Sequence, residues 1–481
     1  MQQTVSSMRA TPPSAETIAR FASLVGPGHA ITDPQLMGKY LTEWRDAFFG
    51  KSSLILRPGS TEEVSAILKL AHETGTPIVP QGGNTGLVGG QIPYEAGAEI
   101  VVSLERMNKI RGVNAAGYSM VVDAGVTLQE AQQAAEAADR YFALSLPSQG
   151  SCRIGGNLST NAGGVNVLAY GNTRAQVLGI ELVLPDGRIW NGLRALKKDN
   201  TGYDLKHLFI GAEGTLGIIT AAVLKLHPRP RETATAFVVF DQIDKAIALF
   251  SLAQSYAGAS LTAFELLSRF CIELTTQNTR GAREPFPQAY PWYVLLEISG
   301  LKDDGSSAAM MEKLLEDALN QGLILNANIA ASLQQSKDFW LLRESISEAQ
   351  KFAGGNIKHD VSVPIPSIPE FIRRADAAVT KLYPGCRPIA LGHIGDGNVH
   401  YNVAQPPDMD KRVFLDKWDE IAGQVHALVA EMGGSISAEH GIGRLKRHML
   451  AEVKSEVEMD LMRKIKAVID PKGIMNPGKV L

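Results

Sequence analysis

The chain has 481 residues, a prior of about three domains or two large ones at roughly 150 residues each, which excludes a peptide module or a disulfide miniprotein. Apolar residues at 45% and charged residues at 20% are ordinary for a globular chain, so wholesale disorder is excluded as well. With 47 basic against 50 acidic residues the formal charge is −3, and no nucleic-acid partner is expected.

Residues 1–49 read as an N-terminal helical arm. Ser53-Leu-Ile-Leu56 looks like a strand, and Ser60 with Glu63 predicts a capped helix through about His72, ended by Gly75. Pro77 to Pro80 is the next strand, followed by a loop with five glycines in Gln81 to Gly90 and then the strand Glu99 to Leu104. A second glycine cluster runs from Pro147 to Gly164, ahead of a strand Val177 to Pro185 that turns at Asp186-Gly187. A third, Gly211 to Thr220, precedes the strand Ala221 to Leu226. After Pro228 the glycine density falls, and segments such as Thr233 to Phe240 and Trp292 to Ile298 alternate with helical patterns. The boundaries expected are a glycine-loop α+β domain at 50–228, a second α+β domain with an antiparallel sheet at 229–450, and a C-terminal segment at 451–481 that returns to the first.

Cys152, Cys271 and Cys386 are too widely spaced for a C-x-x-C pair or a disulfide framework, which suggests a reducing compartment. No stretch of 18 apolar residues exists, so no membrane span is expected. The expected localisation is cytoplasmic, with a mitochondrial presequence in the first 28 residues as the alternative.

Glycine accounts for 46 residues, about a tenth of the chain against an average near 7%. Dense glycine between strands lets the backbone approach a ligand and aim N–H groups at a negative group such as a pyrophosphate. Three clusters in one domain suggest one long cofactor. None is a G-x-G-x-x-G opening a helix, and Gly473 to Lys479 spells G-x-x-x-x-G-K with Val480 in place of Ser/Thr, so neither a Rossmann site nor a P-loop is expected.

Pro80 to Gly86, Gly155 to Gly164, Asp199-Asn-Thr-Gly-Tyr-Asp-Leu205 with Glu213 to Gly217, and Asn476 to Lys479 resemble the two-subdomain FAD-binding domain of the vanillyl-alcohol oxidase and p-cresol methylhydroxylase flavoproteins. The resemblance implies that Gly82, Gly83, Asn84, Thr85 and Gly86 hold the pyrophosphate, with Pro80 beside them in the cofactor site. It places Pro147, Ser148, Gly155, Gly156, Ser159, Thr160, Gly163 and Gly164 along the flavin and ribityl chain, and Glu213, Gly214 and Ile219 toward the adenine, with Asn476 from the tail. No residue matches the family's flavin-linking histidine, so the FAD is expected to be noncovalent.

In Leu391 to Asn402, Asp396-Gly397 is the preferred pair for a two-residue type I′ turn. That register sets His393 opposite His400 with Cβ atoms about 4.5 to 5.5 Å apart, within reach of one metal ion. Asn402 shares the face of His400, while Ile394 and Val399 point into packing. A further ligand is sought in the polar cluster Ser437 to Gly443, since a carboxylate added to two imidazoles leaves open positions on the ion for a substrate. Here the pattern resembles the D-2-hydroxyacid dehydrogenase branch, which implies that His393, His400 and Glu439 bind zinc or manganese and that His440 is the catalytic base.

A helical reading of Trp340 to Gln350 puts Arg343 and Ser347 on one face, and in the strand Asn356 to Val363 residue Lys358 points away from Ile357, His359 and Val361. The L-R-E-x-I helix with Lys358 downstream resembles D-2-hydroxyglutarate dehydrogenases, with Ser347 where that family has Thr and His359 where it has Tyr. The resemblance implies oxidation of D-2-hydroxyglutarate to 2-oxoglutarate, with Arg343, Ser347, Lys358 and Asn402 binding a dicarboxylate. It also implies re-oxidation by an electron-transfer flavoprotein or a quinone-linked carrier. D-Lactate or glycolate as substrate, a non-catalytic flavoprotein with a structural metal, and a homodimer are left open.

Overall fold

A computed structural model describes residues 11–481, so residues 1–10 of the expected arm lie outside the described chain. From there the arm supplies two helices, Ala15–Ala22 and Pro34–Leu41, capped by Ser14 and Asp33 side chains that accept from Thr17 N and Gln35 N.

The chain divides into two units. One holds the described residues up to Gly163 together with Asn172–Pro228 and His440–Leu481. The other holds Gly164–Gly171 and Arg229–Glu439. Relative to the boundaries drawn from composition, the second unit also takes the eight residues Gly164–Gly171, which begin at the last glycine of the cluster, and the tail joins the first unit from His440 rather than 451.

In the first unit, strands Ile55–Leu56 and Ile78–Gln81 lie parallel to Ile100–Ser103 on either side of it. The helix Thr61–Thr74 makes the crossover between them, with Gly75 at φ 67° providing the left-handed stop that only glycine adopts without cost. A second sheet is antiparallel, in the order Ile110–Asn114, Ser119–Asp123, Ile218–Lys225, Val177–Val183, Ile189–Gly192. Its inner face packs on the helices Leu128–Ala137 and Ile154–Ser159 through Met120, Ile180, Ala222, Leu128 and Leu158.

The tail is part of this unit's interior. Ile474 and Met475 join the core under the parallel sheet, and Asn476 N donates to Ile78 O at 2.8 Å. Lys479, which completes the P-loop-like string, is fully buried and its Nζ lies 2.6 Å from Glu99 Oε1 and 4.4 Å from the Tyr94 ring centroid. The lysine is therefore a structural cation rather than a phosphate ligand.

In the second unit a seven-stranded antiparallel sheet runs in the order Asn326–Ile329, Glu232–Phe240, Trp292–Gly300, Leu261–Ser268, Arg387–Gly392, Asn398–Ala404, Asn356–Ser362. Its central strands are apolar on both faces, because helices pack against both. Arg269–Asn278 and Leu333–Glu344 pack on Phe237, Leu267, Tyr293, Leu295, Ile389 and Leu391. Asp244–Ala257 and Ser306–Asn320 pack on the sheet as well and on each other.

Replacing Lys479 by Met leaves Glu99 buried without its cation, with only the Tyr94 N–H on its other oxygen, a change that costs about 3–5 kcal/mol. Denaturant titration should show that loss in Lys479→Met, with partial recovery in Lys479→Met/Glu99→Gln. An unchanged midpoint in the single variant would contradict the assignment.

Candidate active site

The glycine loops of the first unit approach one another at backbone distance. A Cβ on Gly83 would stand 2.0 Å from Ser151 O, so at that position the loop after Ile78–Gln81 can lie on the 148–153 segment only as glycine, and one on Gly82 would stand a tight 3.3 Å from Arg153 Cβ. The side chains in these loops hold the loops. Asn84, at φ 54°, donates through Nδ2 to Lys39 O (2.9 Å) and Thr42 O (2.8 Å) and accepts from Gln91 Nε2 through Oδ1. Ser159 and Thr160 donate to Gly155 O and Gly156 O within their own helical turns. Asn476 donates to Gly90 O and Glu213 O.

Glu213 accepts from Ile442 N at 2.7 Å and Gly443 N at 2.8 Å, and burial pushes its carboxyl up to about 7 against those two bonds. Its side chain therefore fixes the loop that follows His440 rather than facing outward. What the loops leave over is backbone: among the described residues, the N–H groups of Gly83, Asn84, Thr85 and Gly86 meet no protein acceptor. Open space lies where a Cβ on Gly156 would be.

Gly164, the last glycine of the stretch expected along the flavin, also binds within the second unit: it belongs to that unit, and its N–H donates to Glu439 Oε1 at 2.5 Å.

The second unit gathers the polar residues on one face of its sheet. Directly paired residues point to the same side, and the pairs Glu265 with Leu295, Leu267 with Leu391, Leu391 with His400, Asp360 with His400 and Lys358 with Asn402 trace that face across the strands. It is the face that carries the helix Leu333–Glu344. There, ligand atoms of His393, His400 and Glu439 lie within 4.8 Å of one another, and the two imidazole centroids are 5.4 Å apart.

The hairpin achieves this by a register different from the expected one. Leu391, not His393, pairs with His400, and residues 393–397 form the connection between the strands. Asp396 is not in the left-handed region, so the turn is not type I′; Asp396 N and Gly397 N instead donate to His393 O and Ile394 O. His393 reaches the cluster from the longer loop. Its Nδ1 lies 2.7 Å from Glu265 Oε1, whose other oxygen lies 2.8 Å from Arg343 Nε. Burial opposes the Glu265 charge, yet His393 and Arg343 hold its carboxyl down at about 2; burial likewise opposes the His393 cation, and Glu265 raises it to about 9.

Glu439 is fixed twice, by Gly164 at its carboxylate and by Asp360 Oδ2, which accepts from Glu439 N at 2.9 Å. Asp360 Oδ1 lies 3.7 Å from His400 Nδ1. The remaining expected residues divide. Lys358 is exposed on the same face, one alternate position from Asp360. Arg343 is buried, whereas Ser347 is exposed beyond a break between the two helices at Ser345. Asn402 is buried with its amide engaged, accepting from His359 N and donating to Gln350 Oε1.

Glu265, Asp360 and Gln350 were not singled out from the sequence. Glu265 has a visible signal, a lone carboxylate in the apolar strand Leu261-Thr-Ala-Phe-Glu-Leu-Leu267, and Asp360 follows from the same alternation that placed Lys358.

Residues 52–192 match the family described as FAD binding domain, and residues 229–480 match FAD linked oxidases, C-terminal domain. The chain belongs to the FAD-linked oxidases. A mitochondrial D-2-hydroxyglutarate dehydrogenase of Rattus norvegicus is 38% identical over 97% of this chain and 85% of its own. A D-2-hydroxyglutarate dehydrogenase of Stutzerimonas stutzeri is 37% identical over 96% and 98%. In fold, the chain resembles p-cresol methylhydroxylase with substrate bound, at a TM-score of 0.76 and 16% identity over 97% of this chain and 96% of that one. It also resembles 4-ethylphenol oxidase from Gulosibacter chungangensis, at 0.72 and 20% over 98% of each.

This FAD-linked oxidase has the α+β fold of the vanillyl-alcohol oxidase type and is an FAD-dependent hydroxyacid dehydrogenase. The cytoplasmic expectation is overturned: the rat, zebrafish and Arabidopsis relatives are named as mitochondrial enzymes, which points to mitochondria. Three buried free cysteines report only a reducing surrounding and do not distinguish one reducing compartment from another. Among the described residues no helix is long and apolar enough to cross a membrane.

The loops fit FAD, since a run of unpaired N–H groups suits a pyrophosphate. Gly83→Ala should therefore lose most of its FAD on gel filtration, because the clash is with backbone. Gly112→Ala, where a Cβ meets nothing within 4 Å, should keep it. Equal FAD content in both would refute this account of the loop.

Proposed function

We propose that the enzyme oxidises D-2-hydroxyglutarate to 2-oxoglutarate, with noncovalent FAD as hydride acceptor and a divalent cation, zinc or manganese, held by His393, His400 and Glu439. The observation that carries this reading is the approach of three donor groups to within 4.8 Å on a face that also bears Arg343 and Lys358. Two imidazoles and a carboxylate are a donor set for zinc with a position left open. The relatives named for D-2-hydroxyglutarate support the choice of substrate.

Bound at these sites, the flavin would supply the hydride acceptor and the cation a Lewis acid at the substrate oxygens. The residues do the rest. His440, next in the chain after Glu439, takes the hydroxyl proton, a role that suits an imidazole near neutral pH. Arg343 is fixed by its Nε, so its terminal guanidinium nitrogens offer a planar fork to one carboxylate. Lys358 offers a point charge to the other. Asn402 acts from beneath, holding Gln350 and the backbone at His359, and the exposed Ser347 is given no part. Electrons leave to an electron-transfer flavoprotein or a quinone-linked carrier. The yeast relative, named a D-2-hydroxyglutarate–pyruvate transhydrogenase, makes pyruvate an acceptor to include in any assay.

Anaerobic mixing with D- and L-2-hydroxyacids tests the reading. D-2-Hydroxyglutarate should bleach the flavin fastest, and chelation should abolish bleaching while FAD stays bound. Full reduction of metal-free enzyme would sink the metal's role, faster bleaching by D-lactate would move the enzyme to a monocarboxylate, and no bleaching by any acid would leave a non-catalytic flavoprotein.

Lys358→Met tests the clamp separately. Removing one charge-assisted hydrogen bond, worth about 1.5–3 kcal/mol, should lower kcat/KM for D-2-hydroxyglutarate by roughly 10- to 150-fold. Turnover of D-lactate, which has no distal carboxylate, should change little. Equal fractional losses would place Lys358 at the α-carboxylate or in support of the fold.

A further inference from the structure

Glu265 sits on the central strand Leu261–Ser268 with 1% of its side chain exposed. Each of its oxygens has its own cationic partner: Oε1 lies 2.7 Å from His393 Nδ1 and Oε2 lies 2.8 Å from Arg343 Nε. A carboxylate held in this way has one oxygen for the proposed metal ligand and one for the proposed substrate clamp. We propose that Glu265 is a positioning residue that sets His393 and Arg343 together, so that metal affinity and carboxylate recognition depend on one buried side chain. This inference rests on the metal reading above.

An ionised carboxylate only accepts, so the Nδ1 that faces it must carry a hydrogen. When an ion displaces the proton on Nε2, Nδ1 keeps its hydrogen and Nε2 is the nitrogen available to the ion, the arrangement in which a ligating histidine donates its other N–H to a carboxylate. On the other side, the bond to Nε orients the guanidinium plane and keeps the two terminal nitrogens from the role that Nε fills. Glu265 is too deeply buried to meet substrate, so its effect passes through these two residues.

Glu265→Gln separates the possibilities. An amide replaces one of the two accepting oxygens by a donating NH₂, so it can accept from His393 or from Arg343 through its oxygen but not present an acceptor to both. If its oxygen turns to Arg343, its NH₂ faces Nδ1 and favours the tautomer with a proton on Nε2, which cannot ligate. Zinc titration of FAD-loaded protein, read by the metal's own dissociation constant, should show a 10- to 100-fold loss, with FAD content and far-UV circular dichroism unchanged. Zinc affinity equal to wild type would overturn the inference alone. A wild-type protein that binds neither zinc nor manganese would overturn the metal reading and the inference with it.

If Glu265→Gln does not fold, the zinc-loaded wild type decides. Histidine ¹⁵N spectra should show His393 coordinated through Nε2 and protonated at Nδ1. Coordination through Nδ1 would overturn the proposal.

Discussion

A carboxylate buried in the middle of a sheet has to be paired, because an isolated charge there is costly enough to unfold a domain. Glu265 satisfies that condition with two cations on two different elements, a loop histidine and a helix arginine. The second unit is arranged around the consequence. The same sheet face is apolar at Phe237, Tyr293, Leu295 and Leu267, where helices cover it, and polar at Glu265, His400, Asp360, Asn402 and Lys358. Glu265 stands where the one gives way to the other. Its two partners are held there by charge, which positions them more narrowly than packing around a flexible arginine could.

The first unit follows a complementary rule. Its loop side chains are spent on the protein itself: Asn84 ties the first glycine loop to the arm, Asn476 ties the tail to two loops, and Glu213 ties down residues 442 and 443. All three are non-glycine residues at positive φ: Asn84 at 54°, Glu213 at 51° and Asn476 at 42°. Strained conformations persist only where surrounding bonds over-determine them, and here the bonds are visible. With side chains used for fixing, the backbone N–H groups are what remains for a ligand. That is why the excess of glycine falls in three loops and why motif residues are poor guides to which atoms touch a cofactor.

The same rule explains what the sequence disclosed. Helix caps, strands and the change at residue 228 were legible because they depend on local spacing; the helix at Thr61–Thr74 and the strands at 78–81 and 100–103 fall within a residue or two of expectation. The convergence of His393 and His400 was legible too, although for a wrong reason. Asp396-Gly397 suggested a two-residue turn, while the observed five-residue connection shifts the pairing by two, an even number that keeps His400 on the same face. A shift of one would have sent the imidazoles apart. The break at Ser345 was not legible, because no glycine or proline announces it. Glu265 was missed because its partners lie 78 and 128 residues away, beyond any local pattern.

Charge on the polar face bears on how it could receive a dianion. Glu265, Glu439 and Asp360 are three carboxylates, against the two permanent cations Arg343 and Lys358. Counting His393 as protonated, as its bond to Glu265 favours, brings these six side chains only to neutrality, and the nearby Asp396 adds no positive charge. A 2-hydroxyglutarate dianion would gain little from such a surface, since what it meets at Arg343 is partly offset by Glu265 behind it. A divalent cation between His393, His400 and Glu439 would displace the extra proton and still leave the face positive. The ion would therefore act on binding before it acts on chemistry. A metal-free enzyme should fail first in holding its dicarboxylate, and a neutral 2-hydroxyacid ester should feel the loss of the cation less than the acid does.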